Sequence, residues 1–331
     1  MLTERQSKIL KLIISEYIKE ARPVGSKHLS SELKCSSATI RSEMATLEDL
    51  GLLEKTHTSS GRVPSEKGYR YYVDYLMEPK KMSGEDMLNL QVVFNNAQLE
   101  LSDSITKSLQ IISDITNCTT ISLGKTSHDN ILKQISIVPL SDKELVAIVI
   151  TDKGHVEHKN IALEGVSLKE IEKTVNLINN IIIGTPIDEV SKKLEFEVKP
   201  IIAKYVSQHE RIYQAFYDVF QDFSNQSINV VGKNKLLSQP EFASIDKIRD
   251  IFNKLDYKNI IDNIKEEGND IKIYIGKENN FDEDTTVIKT NYKTPYEEGT
   301  IAIVGPKRME YDKVVALLEY IKSQIGSDDS E

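Results

Sequence analysis

Residues 36–55 read SSATIRSEMATLEDLGLLEK and run directly into residues 56–76, THTSSGRVPSEKGYRYYVDYL. The first half predicts a helix capped by Ser36 or Ser37, whose hydroxyls can take up free N–H groups of the first turn. At 100° per residue Ile40, Met44 and Leu47 fall within about 40° of one another and form a core seam. Gly51 stops the helix. LLEKTHTSSGRVP then reads as two short strands around a Ser-Gly turn, and Ser65 caps a further helix. Upstream, Thr3 and Gln6 form a capping box that opens a helix to about Glu20, with Ile9, Leu10, Ile13, Ile14, Tyr17 and Ile18 at helical spacing. RPVG breaks it, and Ser26 is expected to cap a short second helix to Leu33. Three helices and a β-ribbon within residues 1–77 predict a winged helix-turn-helix.

That arrangement has a chemical reading. Ala38, Ser42 and Ala45 lie opposite the seam, with Arg41 on the flank. A face of such small side chains lets a helix backbone sit deep in a major groove. Arg41 can reach a guanine edge or a phosphate. Ser36, Ser37 and Thr39, together with the N-terminal amides, can donate to phosphates. Glu43 points nearer the seam than the groove. At the ribbon tip His57, Thr58, Ser59, Gly61 and Arg62 offer donors and one cation to phosphates or an adjacent minor groove. The helix alone is equally well read as a capped helix with a solvated polar face, and a histidine or arginine in a turn is usually just solvated; helix, preceding helix and ribbon together favour double-stranded DNA.

Composition limits the alternatives. The chain has 331 residues, 28% charged and 39% hydrophobic, ordinary values for a globular protein of two or three domains. Residues 1–76 carry a net +2 and the remainder −11, against −9 overall, so DNA contacts would be confined to one small domain. No apolar run approaches the roughly 18 residues of a membrane helix, and no membrane partner is expected. The first ten residues lack a signal-peptide layout, and the two distant cysteines, Cys35 and Cys118, suit a reducing compartment. A cytoplasmic location is expected, at the bacterial nucleoid when bound. Beyond a polar break at 78–86 a helical pattern runs to about Ile115. Strand-like runs TTISLG, LKQISIVPL and ELVAIVITDKGHVEHKNIAL follow, then a helical block opened by Ser167. Further strands SINVVG, IKIYIG, TTVIKTNY and GTIAIVGP come before a closing amphipathic helix. This order predicts an α+β domain interrupted by a helical insertion. In the helical block Ile212, Phe216, Val219, Phe220 and Phe223 recur at helical spacing, either as a dimer surface or as a core face.

The opening stretch resembles the signature of the HrcA family, the heat-inducible transcription repressors. The matching parts are Ser37–Arg41, Leu47–Gly51, His57–Ser59, Gly61–Pro64 and Lys67–Arg70, with LLSQPEF at 236–242 as a further patch. Many winged helices share the first of these, whereas GRVP followed by KGYR is much narrower. Ser60 stands where alanine is usual and Ser42 where asparagine is frequent. The resemblance implies a homodimeric repressor of chaperonin and chaperone operons that binds an inverted-repeat operator, CIRCE, and is kept active by the chaperonin GroEL. It implies a winged helix at 1–77, a linker and connecting helix at 78–103, and a GAF-like domain in two parts, 104–166 and 226–326. A helical dimerisation domain would be inserted at 167–225, with an acidic tail at 327–331.

Other constellations point less far. Gly124-Lys125-Thr126 lacks the first glycine of a phosphate loop, and His155 with His158 has no third ligand at useful spacing. Cys118 reads as a small buried hydrophobe, and Tyr69, Tyr71, Tyr72 and Tyr75 as packing. No catalytic motif, cofactor or metal is expected. Two alternatives stay open: an enzyme with a self-regulating winged helix, like biotin protein ligases, and a repressor governed by a small molecule in the GAF-like domain. The first lacks the glycine/arginine-rich adenylate loop.

Overall fold

The computed structural model describes residues 2–56, 61–78, 82–96, 101–126, 130–141, 144–152, 154, 156–162, 167–205, 213–214, 216–217, 227–255, 260, 263–265, 268–293 and 297–325. It forms two compact units. One comprises Met1–Ser122, Ile228–Asn291 and Thr300–Glu331; the other comprises Leu123–Ser227 and Tyr292–Gly299.

The first unit opens with the expected winged helix: α1 (Glu4–Glu20), α2 (Ser26–Leu33), α3 (Ser37–Asp49), β1 (Leu53–Lys55), β2 (Arg62–Pro64) and α4 (Glu66–Tyr71). Thr3 and Gln6 close the capping box on α1, and Ile9, Leu10, Ile13 and Ile14 are buried on its inner face. Ile40, Met44 and Leu47 of α3 complete this core with Leu29 of α2. Ser26 does not cap α2, contrary to expectation. Gly25 occupies the cap position without a side-chain bond, and the Ser26 hydroxyl pairs with that of Ser37 at 2.9 Å, tying α2 to α3. β1 and β2 pair antiparallel with Glu54 opposite Val63, and Val24 adds a third short rung by exchanging backbone hydrogen bonds with Arg62 at 2.9 Å.

A five-stranded sheet forms the rest of this unit. Its strands are β3 (Thr119–Thr126), β7 (Ser227–Val231), β8 (Lys272–Ile275), β9 (Thr285–Lys293) and β10 (Glu297–Pro306), in the order β7-β3-β10-β9-β8. Successive residues of a strand face opposite sides. After α5 (Gly84–Phe94) comes α6 (Leu101–Thr116), toward which Thr120 turns, its hydroxyl donating to the Leu109 carbonyl at 3.0 Å. Ile121 turns the other way, into a cluster with Leu236, Phe242 and Ile251. The sheet is thus covered on both faces, by α6 on one side and by the segment around Leu236–Leu255 on the other. The closing helix (Tyr311–Ile325) packs with α6 and buries Val314, Leu317, Leu318 and Ile321.

The second unit is threaded between the first two strands of that sheet in chain order. It contains β4 (Leu132–Ser141), β5 (Glu144–Thr151) and β6 (Val156–Ala162) as an antiparallel meander. The helices α7 (Leu168–Ile182), α8 (Ile187–Lys193) and α9 (Lys199–Tyr205) follow. Ile171, Val175, Ile178 and Ile182 of α7 meet Leu132, Ile135, Leu145, Ala147 and Val149 in one core. The Asn179 carboxamide both accepts from the Ile135 N–H and donates to its carbonyl, at 2.9 and 2.8 Å. This departs from the expected boundaries. Strands 132–162 belong with the inserted helices, so the insertion begins after β3 and is α/β in content. Period-two patterning shows that a segment is a strand but not which sheet it joins; here the short connections fold the three strands back on one another.

Candidate DNA-binding face

The N-terminus of α3 is built by Ser36, whose hydroxyl accepts from the Thr39 N–H at 3.1 Å and pairs with the Thr39 hydroxyl at 2.8 Å. Ser36, Ala38, Arg41, Ser42 and Ala45 are exposed, whereas Ser37 is half-buried through its bond to Ser26. Arg41 forms no ion pair with any described residue. The acidic residues nearby are turned away and neutralised. Glu43 accepts from Gln6 at 3.0 Å and lies 3.6 Å from Arg5; Glu48 is held by Arg62 at 2.7 Å. The remaining face combines free N-terminal amides, small side chains and one unpaired cation, an electrostatic arrangement suited to a polyanion.

The ribbon has a different logic from the one its sequence suggested. His57, Thr58 and Ser59, with Ser60, lie outside the described residues. The Arg62 side chain is only 15% exposed, and its Nε and one terminal nitrogen both reach a Glu48 oxygen at 2.7 Å. It fastens the ribbon to the end of α3 and does not project toward solvent. Gly61 is buried, and a Cβ there would lie 2.8 Å from Pro23 Cβ, so glycine serves close packing of the ribbon on the α1–α2 turn. Gly68 is similar: an added Cβ would overlap the Leu52 carbonyl oxygen, so α4 can lie against the backbone just before β1 only with glycine there. Lys67 donates to the Leu50 carbonyl at 2.9 Å and Ser65 to that of Gly51 at 2.6 Å, closing the end of α3. GRVP and KGYR thus assemble the platform that presents α3.

Of the other candidates, Phe216 is 1% exposed and sits with Tyr213 in the core of the second unit. Its ring packs within its own chain and is not available to a partner, which corrects the dimer-surface reading of that residue. Ile212, Val219, Phe220 and Phe223 lie outside the described residues, as does His155. Gly124-Lys125-Thr126 lies within β3, and His158 is exposed on β6. Cys118 is 2% exposed and burial pushes its thiol pKa up to about 11, the behaviour of an inert apolar side chain. Sequence reading missed one cluster, Glu16, His28 and Glu32 at the α1–α2 junction, whose candidate ligand atoms lie within 4.8 Å of one another. Hydrogen bonds from Lys19 and then His28 hold the Glu16 carboxyl below its usual range, as expected of a surface ion-pair group. No helix among the described residues is long and apolar enough to cross a membrane.

Comparison with known proteins agrees with this geometry. Residues 1–73 match the family described as winged helix-turn-helix transcription repressor, HrcA DNA-binding, and residues 102–315 match the HrcA protein C-terminal domain. The heat-inducible transcription repressor HrcA of Bacillus pumilus (strain SAFR-032) is 41% identical over 99% of this chain and 98% of its own length. A crystal structure of a hypothetical protein at 2.2 Å resolution superposes with a TM-score of 0.73, over 99% of this chain and 98% of that one. At 21% identity that second likeness concerns the fold alone.

Proposed function

Because the chain belongs to the HrcA family of heat-inducible transcription repressors, a family of non-enzymatic regulators with a winged-helix DNA-binding domain, we propose that it represses heat-shock operons as a homodimer on an inverted-repeat CIRCE operator, with GroEL maintaining its active form. The observation that carries the reading is the amide-rich, small-residue face of α3 with Arg41 exposed and both neighbouring glutamates tied away. One winged helix covers one half-site, so a two-fold dimer matches a palindrome with half-sites a helical turn or more apart.

Two-fold assembly draws support from the second unit. α7 covers one face of its meander, while the central strand turns Val146, Ile148 and Ile150, half-buried, to the other. Val138 and Val156 flank them at 45% and 52% exposure. A strand apolar on both faces is normally covered on both, and a second copy of the chain is the proposed cover. Repression places the protein in the cytoplasm, at the nucleoid when bound.

The test is fluorescence anisotropy with a CIRCE duplex and a scrambled duplex, each with and without GroEL. Tight, sequence-selective binding enhanced by GroEL is expected; equal weak binding to both duplexes would overturn the operator assignment. In the same assay Arg41→Ala should weaken operator binding by about 1–3 kcal/mol if the arginine reads a base edge. Unchanged affinity would place Arg41 off the DNA.

A further inference from the structure

The winged helix and the five-stranded sheet lie in one compact unit, and two arginines join them. Arg70, in α4, donates to both carboxylate oxygens of Glu278, at 3.1 and 2.6 Å, and to the Ile273 carbonyl at the end of β8. Its third nitrogen is held by Asp74 at 3.1 Å. Glu278 is itself fixed, accepting from the Ile275 N–H at 2.9 Å. The second clamp runs in the opposite direction. Arg308, beyond β10 and 15% exposed, donates to Glu241 at 2.5 Å and to Gln239 at 2.9 Å, and reaches the carbonyl of Ile18 in α1 at 3.4 Å. Between the clamps Tyr69 and Tyr72 pack on the fully buried Tyr311, with ring centroids 5.9 and 6.4 Å apart. KGYR therefore supplies the winged-helix side of the junction, LLSQPEF orients Arg308 on the other side, and neither arginine lies on the DNA-binding face.

A guanidinium fork bound to a carboxylate and a carbonyl fixes direction as well as distance, which a single charge pair does not. The Arg70 fork crosses between the two bodies. Arg308, its guanidinium oriented by Glu241 and Gln239 of its own body, crosses by one bond to the Ile18 carbonyl. On either side of an aromatic contact they restrict rotation between the winged helix and the sheet. We infer that Arg70 and Arg308 are positioning residues that hold each winged helix at one angle to the GAF-like sheet, and thereby set the half-site spacing that a dimer accepts. The inference rests on the two-half-site reading above.

Two measurements test it separately from that reading. In the first, spin labels on Ser31→Cys and Ser238→Cys in a Cys35→Ser background report the distance distribution between the two bodies without DNA. A narrow distribution is expected for the parent and a clearly broader one for Arg70→Ala with Arg308→Ala; an unchanged width overturns the inference. In the second, affinity is measured for one half-site and for palindromes whose spacing is changed by one to three base pairs. The variant should keep its half-site affinity, lose about tenfold on the best palindrome and show a flattened spacing profile, because a loosened linkage lowers the effective concentration of the second winged helix. Retention of the parent's spacing profile overturns the inference even if stability has fallen. A parent that binds the palindrome no better than a half-site overturns the dimeric-operator reading instead, and the label distances then decide the clamp on their own. Arg308→Gln, outside the winged-helix core, serves if Arg70→Ala fails to fold.

Discussion

Arg62 shows how one residue type at one position can carry two opposite meanings. A cation beside a glycine turn on a β-ribbon reads as a phosphate contact, and as such its removal would flatten the salt dependence of DNA binding. Its guanidinium is engaged by Glu48 and its backbone by Val24, so Arg62→Ala leaves a half-buried carboxylate without its donor. A loss of about 1–3 kcal/mol in unfolding free energy is expected, the range for leaving a buried acceptor without its donor, with no change in the slope of affinity against salt concentration. Thermal unfolding and a salt titration of Arg62→Ala check both parts, and a flattened slope without destabilisation would return Arg62 to the DNA. Arg41 differs only in what lies around it. Both arginines were visible in the sequence; that Glu48, three turns along α3 from its cap, reaches back to one of them was not, because the pairing depends on how ribbon and helix end meet in space.

Among the elements, local signals were the readable ones. The capping box on α1, the Ser36 cap on α3 and the seam of Ile40, Met44 and Leu47 stand where the sequence puts them, because each depends on residues no more than four apart. Ser26 failed as a cap because a tertiary partner, Ser37, claimed its hydroxyl. The meander of β4, β5 and β6 was legible as strands but misassigned in domain, since its affiliation is decided by α7 more than twenty residues from its centre. Its central strand, ELVAIVIT, carries apolar residues on both faces, and the outer set is the face proposed to meet a second copy of the chain. Ile148, opposite Ser136 and His158 in the register, lies in the middle of that outer face. Ile148→Glu is expected to shift the protein from dimer to monomer in sedimentation velocity while leaving its circular dichroism unchanged, because the substitution adds charge to a half-exposed position and removes nothing from the α7 core. A dimer that persists would move the interface elsewhere.

For the whole molecule, the tyrosines are the feature that ties DNA-binding platform to core. The sequence presents Tyr69, Tyr71, Tyr72 and Tyr75 as one cluster, but they divide: Tyr69 and Tyr72 are buried against Tyr311, while Tyr75 is 69% exposed and leans on Tyr71. Tyr311 lies more than 230 residues downstream, so no local pattern could have named it as their partner. Burial, then the nearby Asp312 and Glu78 carboxylates, push the Tyr72 phenol up to about 12. Burial raises Tyr69 well above the ordinary phenol value and raises Tyr311 as well. The folded protein therefore holds these phenol protons more tightly than the unfolded chain, whose tyrosines ionise near pH 10. The stability linked to them is fully present below pH 10 and is lost as the pH rises toward and through 12. Absorbance titration at the phenolate band should show Tyr69, Tyr72 and Tyr311 ionising late, together with loss of the near-ultraviolet dichroism. Because Tyr69, Tyr72 and Tyr311 line the junction between Arg70 and Arg308, their alkaline step should release the winged helix from the sheet before the five-stranded core unfolds. Broadening of the spin-label distances at a pH where far-ultraviolet dichroism is intact would show that order of events; simultaneous loss of both signals would mean that platform and core unfold as one body.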